Sequence, residues 1–263
     1  MNRITIFASY DKNGIIHDFV ISYLKELRKV SNKIIFVADN YITEEEQNKI
    51  KSIVDYVKCE PHGEYDFGSY KIGYNYLIQS KLLDKVDEII LCNDSCFCIN
   101  SLEPVFNKMT QTECDFWGLS ANNEIQFHLQ SFFLVFNKKV FTSIKFVNFI
   151  NSVKHHNSVE EVIYNYEISL TQKLIDAGFK YNALIFPFNK DNPTKFPLLM
   201  LKMGYPIIKR KFFSEYKIYS KESYFKALLL LIKINKKSLN EILSYFNYSS
   251  LFKFWLYLIY SKK

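Results

Sequence analysis

With 263 residues, 48% of them apolar and 23% charged, the chain suits one α/β domain with added helices, and its composition excludes a disordered protein. Seven glycines and six prolines leave no room for a long flexible linker. The net charge of +7 points to anionic partners, and its distribution along the chain decides between them.

Five cysteines without paired CxxC spacing fit a reducing cytosol better than a disulfide framework. Cys92, Cys96 and Cys98 cluster, but the second ligand pair of a zinc site is missing. Cys92 lies inside an apolar run, where a free thiol behaves as a small hydrophobe, so core thiols are the preferred reading. No secretory signal is expected, because a strand begins at Arg3. No run of 18 uncharged apolar residues offers a spanning helix. A cytoplasmic protein is expected.

In chain order, Arg3–Tyr10 alternates and is β-branched early, which predicts a first strand. Apolar residues at 15, 16, 19, 20, 23, 24 and 27 form a helical stripe over Ile15–Val30. Lys33–Ala38 is a second strand closing on Asp39-Asn40. Thr43-x-x-Glu46 has the form of a capping box. Asp55–Cys59 reads as a short strand. A helix opening near Asp66 or Gly68 and ending near Ser80 would turn Phe67, Tyr70, Tyr74, Leu77 and Ile78 inward. Glu88-Ile89-Ile90-Leu91-Cys92 is a further strand, and it ends on Asn93-Asp94-Ser95. Strands alternating with helices indicate βαβ units and a mainly parallel sheet.

In such a sheet Ser9-Tyr10-Asp11, Asp39-Asn40 and Asn93-Asp94-Ser95 fall along one edge, where open α/β sheets bind ligands. Each alone is a common turn sequence; their alignment is what suggests a site. Asp94, a carboxylate at a strand end, can anchor a hard cation and, through it, phosphate oxygens. The absence of GxGxxG and of GxxxxGK[ST] argues against a dinucleotide or P-loop site.

Beyond residue 100, Leu102–Met109 reads as a short helix and Asp115–Leu119 as a strand. Ile125–Phe136 is a long β-like run that sets Gln126, His128 and Gln130 on one face. A hydrogen-bonded structural histidine is the plainer account of His128. Ser158-x-x-Glu161 caps a helix that contains Glu167 and stops at Gly178. Taken alone, Glu167 reads as solvated surface. The last quarter of the chain is basic and aromatic, Lys209, Arg210 and Lys211 among its charges, and Leu251–Tyr260 is apolar but too short to span a bilayer. This composition fits an anionic membrane surface and equally a helical tail packed on the domain. A nucleic-acid partner is not expected, since no recognition motif accompanies the charge.

The ordered series Gly63-Glu64-Tyr65-Asp66-Phe67-Gly68-Ser69-Tyr70-Lys71, Asn93-Asp94-Ser95, Asp115-Phe116-Trp117-Gly118-Leu119 and His128-Leu129-Gln130-Ser131-Phe132-Phe133 resembles the rhamnan synthesis protein F family of bacterial polysaccharide glycosyltransferases, over roughly residues 3–210. The resemblance implies a GT-A-like α/β domain over 1–210, with 211–263 as a helical C-terminal region. It implies a nucleotide-sugar donor, dTDP-L-rhamnose being the candidate, and a glycan or lipid-linked acceptor of a cell-surface polysaccharide such as lipopolysaccharide.

By the same resemblance Asp94 would hold Mg or Mn. The wider GT-A class has Asp-x-Asp there, where this chain has Asn93-Asp94-Ser95. Glu167, counted back from Ala177-Gly178, matches the catalytic base of inverting enzymes, with Tyr166 in place of the paired acid. Ser9, Tyr10, Asp11 and Asp39 would frame the nucleoside, and Asp66 belongs to the first shared motif. Asn93 and Ser95 flank the metal position. Lys71 would add charge on the phosphates or stay in solvent, while His128 and Gln130 would line the cleft. The expectation is inverting transfer at the inner face of the bacterial cell membrane, with the tail on the cytosolic leaflet. The reduced metal motif also suits a non-catalytic nucleotide-sugar-binding scaffold.

Overall fold

The computed structural model describes residues 1–188, 191–215 and 221–246. The first half alternates as expected: β1 (Arg3–Ser9), α1 (Asp18–Val30), β2 (Lys33–Ala38), α2 (Glu44–Asn48), β3 (Tyr56–Cys59), α3 (Tyr65–Gln79) and β4 (Glu88–Asn93). Then come β5 (Cys96–Cys98), α4 (Glu103–Thr110), β6 (Phe116–Asn122), β7 (His128–Leu129), β8 (Phe133–Asn137), α5 (Lys138–Phe141) and α6 (Ile144–Asn151). A rod made of α7 (Val159–Val162), a π-helical turn (Ile163–Ile168) and α8 (Ser169–Asp176) leads into β9 (Tyr181–Ile185). Last come α9 (Pro197–Lys202), β10 (Ile207–Lys209), α10 (Lys211–Ser214), α11 (Lys221–Ile234) and α12 (Lys236–Tyr245).

The main sheet runs β3-β2-β1-β4-β8-β6-β7, with β9 on β6. β1, β2, β3 and β4 are parallel, as are β6 and β9, while β8 is antiparallel to both β4 and β6. The mainly parallel α/β class expected from the sequence is the class observed. Both faces of the sheet are covered, which is why its central strands are mostly apolar on both sides. In β1, Phe7 points to the layer of α1 (Tyr23, Leu24, Leu27), while Ile4, Ile6 and Ala8 point to that of α3 and α6 (Tyr70, Tyr74, Phe146).

α3 lies so close to β1 that a Cβ on Gly73 would sit 2.4 Å from Ile6 Cγ2. Ala favours a helix over Gly, but overpacking costs about 1–3 kcal/mol and wins here. Gly73→Ala is therefore expected to lower the midpoint of urea unfolding; an unchanged or higher midpoint contradicts this packing.

Several local expectations are corrected. α1 begins at Asp18, not Ile15, because residues before it form a loop tied to Asp11. Thr43 caps α2, but Glu46 does not close the box: its carboxylate accepts from Ile16 N at 2.7 Å, pinning that same loop. Ile78 is 46% exposed, since the stripe of α3 has rotated past it. The long strand over Ile125–Phe136 is broken by a turn between β7 and β8, and Gln126 is exposed while His128 and Gln130 are buried. Cys92, Cys96 and Cys98 are buried free thiols whose pKa values burial pushes up.

Two three-residue strands, too short to show a period, were not anticipated. β5 and β10 pair antiparallel in a separate small sheet. The described C-terminal helices pack on the α1 layer through Leu228, Leu231, Leu239 and Ile242. Leu251–Tyr260, the expected membrane-contacting segment, lies outside the described residues. Among the described residues no helix is long and apolar enough to cross a membrane.

Candidate active site

The register of the parallel strands builds the site. Ser9 of β1 sits opposite Ala38 of β2, and Ala8 opposite Asn93 of β4, so the three strands end together. Tyr10, Asp39 and Asp94 therefore leave the sheet over one edge. With Ser9, Gly63, Tyr65, Asp66, Ser69, Ser95, His155 and Arg210 they line a cavity of about 470 Å³, a size typical of small-molecule sites.

Asp94 is 6% exposed. Its Oδ2 accepts from Ser9 Oγ at 2.7 Å and from the Tyr10 N–H at 3.0 Å, and its Oδ1 faces Arg210 Nη2 at 3.5 Å. Burial pushes this carboxyl up, and Arg210, Ser9 and Tyr10 offset only part of that rise. Asp66 accepts from Asn93 Nδ2 at 2.6 Å. Burial, then the charge of Asp94, pushes Asp66 up to about 7. Asn93 Oδ1 in turn accepts from Ser95 N at 3.1 Å and Ser95 Oγ at 2.6 Å. The triplet Asn93-Asp94-Ser95 thus braces two acids at one cavity.

The opposite wall is the loop before α3. Asp39 Oδ1 accepts from His62 N at 2.6 Å and Gly63 N at 2.8 Å. Tyr65 at the rim has φ of 56°, a left-handed backbone that is strained for a bulky residue and recurs at ligand sites.

Six expected residues do not line this cavity: Asp11, Lys71, Asn93, His128, Gln130 and Glu167. Asp11 accepts from Asn13 N at 2.9 Å and Ile15 N at 3.1 Å and pairs with His17 at 3.1 Å, so it anchors its own loop. The Lys71 ammonium donates to Val153 O at 2.8 Å and pairs with Glu64. Gln130 Oε1 accepts from Ser120 Oγ at 2.5 Å between strands. Alternation assigned Gln130 a face, and Asp11 and Lys71 were placed by their positions at a strand end and in the first turns of a helix, but none of these readings could reveal the partners.

Glu167 stands on the π-helical turn, a feature frequent at functional sites because it displaces a side chain from the regular helical face. Its Oε1 lies 3.2 Å from His128 Nε2, and its Oε2 accepts from Ser131 Oγ at 2.5 Å. His128 Nδ1 is 2.8 Å from the Gln126 carbonyl, so both ring nitrogens face acceptors and the imidazolium is favoured. Burial disfavours charge on each partner, yet the pairing prevails: His128 is held above its usual value and Glu167 below the usual carboxylate range. The loop carrying Ser131 touches the end of β4, where Asn93 N donates to Phe132 O at 3.3 Å. Glu167 is not in the cavity lining but stands beside that edge.

Lys209 links the two halves. Its Nζ donates to Ser95 Oγ at 3.2 Å and lies 4.0 Å from the Phe132 ring centroid, and its charge acts on both Asp66 and Glu167. Lys209 and Arg210 were absent from the expected site because in the sequence they merge with the basic tail. Only the pairing of β10 with β5 brings them here.

Among the described residues no three His, Cys, Asp or Glu side chains converge into an ion cage. The donor set nonetheless suits magnesium, which takes one or two carboxylates and keeps several waters. Asp94 and Asp66, both pushed up in the same cavity, are an under-compensated acid pair of that kind.

The model of the family described as rhamnan synthesis protein F matches residues 34–249, so the match begins later and ends later than the 3–210 expected. An uncharacterized protein of Sinorhizobium fredii is 25% identical over 187 residues, 69% of this chain and 48% of its own length. The virulence protein VirA of Vibrio anguillarum is 24% identical over 69% of this chain and 59% of its own. The chain thus spans about half the length of the curated relatives it matches. Among solved structures, one described as a glucose-1-phosphate thymidylyltransferase from Bacillus anthracis overlaps at a TM-score of 0.48 and 9% identity, over 70% of this chain and 87% of that one. Core-mannan synthase A from Aspergillus fumigatus, in its Mn/GDP form, overlaps at 0.41 and 13%, over 70% and 72%. On the family match, which spans most of its residues, the chain belongs to the rhamnan synthesis protein F family.

Proposed function

We propose that the chain is an inverting glycosyltransferase that moves a sugar from a nucleotide donor, dTDP-L-rhamnose, to a growing cell-surface polysaccharide or lipid-linked glycan. The observation that carries this reading is the convergence of three strand ends on one acidic cavity with an ionised glutamate at the same edge. Ser9, Tyr10 and Asp39 receive the nucleoside, with Tyr10 and Tyr65 offering ring faces to the base. Asp94 and Asp66 would hold a divalent cation, which would supply Lewis-acid neutralisation of the leaving diphosphate. Glu167 accepts the proton of the acceptor hydroxyl as that oxygen bonds to the sugar C1 and the bond from C1 to the diphosphate oxygen breaks. His128 and Ser131 orient the carboxylate and keep it ionised.

Release of nucleoside diphosphate from dTDP-L-rhamnose, or from another member of a panel of dTDP, UDP and GDP sugars with Mg or Mn, is the expected result. No release and no thermal shift with any of them would overturn the reading. A cytosolic, peripheral location follows if the C-terminal segment docks on anionic lipid; equal liposome flotation of residues 1–246 and the full chain would remove that role.

A second reading, a non-catalytic nucleotide-sugar-binding scaffold, is favoured by one observation. Both oxygens of Glu167 already have partners, as in a purely structural ion pair. Replacement of Glu167 separates the two readings.

A further inference from the structure

We propose that Arg210 and Lys209, delivered by the small β5–β10 sheet, grip the diphosphate of the donor, and that α12 holds Arg210 ready for it. This rests on the reading above. The cavity lining carries three carboxylates, Asp39, Asp66 and Asp94, against one guanidinium, Arg210. A diphosphate entering so acidic a cavity is repelled unless cations meet it. β5 begins one residue after Ser95, β10 pairs with it at Lys209 opposite Cys96, and Arg210 N donates to Ser95 O at 2.9 Å. Both cationic side chains are thereby set against the loop that bears Asp94.

Arg210 is preorganised. Its Nη1 donates to Tyr245 OH at 3.0 Å, and its Cζ lies 5.6 Å from the Tyr245 ring centroid and 5.8 Å from that of Phe19. The other edge of the fork stands 3.5 Å from Asp94 Oδ1, longer than a good hydrogen bond, and opens on the cavity. That is the geometry for a bidentate phosphate contact. Lys209, donating to Ser95 Oγ, adds a point charge on the same side. Tyr245 is a positioning residue in this scheme, acting through Arg210.

The test uses the full chain, with dTDP and thymidine as calorimetric probes, in Mg and in EDTA. UDP with uridine or GDP with guanosine replaces them if the wild type prefers those bases. Arg210→Gln is expected to weaken the diphosphate about 10- to 100-fold and the nucleoside less than about 2-fold, as this side chain meets only the phosphates. Lys209→Gln and Tyr245→Phe are expected to weaken the diphosphate by smaller factors, and Arg210→Lys to keep part of the affinity. A melting temperature that falls in Arg210→Gln while the ratio of diphosphate to nucleoside affinity stays unchanged would make Arg210 a structural clamp and overturn the inference. Should Arg210→Gln not fold, an unaltered ratio in both Arg210→Lys and Tyr245→Phe overturns it equally. A wild type that binds no nucleoside diphosphate removes the functional reading itself, and this inference with it.

Discussion

Glu167→Gln is expected to slow sugar transfer by about 100- to 10,000-fold, the range a general base contributes, with little change in donor affinity. The amide keeps the carboxylate's shape and can still accept from Ser131 Oγ, but it cannot take a proton from the acceptor. His128 and Ser131 hold the wild-type carboxyl below its usual range, so the base is ionised throughout neutral pH. Activity that depends on it should decline only in acid.

The same pair has a stability signature. Glu167 is lowered from 4.5, so its contribution is present above that value and lost as pH falls through the depressed one. His128 is raised from 6.5, so its contribution is complete below that value and lost as pH rises through the elevated one. The gap in stability between wild type and Glu167→Gln should therefore be widest between about 4.5 and 6.5 and should narrow on either side. Unchanged turnover together with this stability profile would assign Glu167 to structure and favour the scaffold reading.

Asp94→Asn is the second substitution with a large expected effect. Loss of one preorganised charge at a developing anion typically costs about 100-fold or more in turnover, and here the response to Mg should disappear as well. The amide oxygen can still accept from Ser9 Oγ and Tyr10 N. Stability should move the other way. Asp94 is raised from 3.8, so the folded form holds its proton more tightly than the unfolded chain, and folding loses stability as pH climbs past that value. Removing the charge at neutral pH should leave the ligand-free melting temperature unchanged or higher. A carboxylate kept at a cost to the fold is what a functional site shows. If Asp94→Asn melts lower and turns over normally, Asp94 serves the fold and not the chemistry.

Much of the sheet was legible because β1, β2 and β4 are largely apolar segments, each closing on a short polar sequence. Their alignment needed only the assumption of parallel pairing. What escaped depends on contacts distant in the chain. Lys209 reaches Ser95 across 114 residues, through strands too short to carry a period. The split of Ile125–Phe136 escaped because the turn at Gln130–Phe132 carries no Gly, Pro, Asn or Asp, while the residues on either side of it read as strand. Asp11 and Lys71 were placed correctly along the chain, but partners invisible to spacing occupy their charged groups: Asp11 bonds its own loop, and Lys71 reaches the distant Val153 carbonyl. The π-helical turn around Glu167 has no pattern of its own, although the residue stood out by its distance from Ala177-Gly178.

The most direct test of whether those converging strand tips form a nucleotide pocket is a crystal structure of the chain with dTDP and magnesium. The expected result is the diphosphate lodged between the Asp94–Ser95 corner and Arg210, with the thymine toward Tyr10 and Asp39. A nucleotide seated elsewhere, with these side chains unaltered and bare, would contradict it.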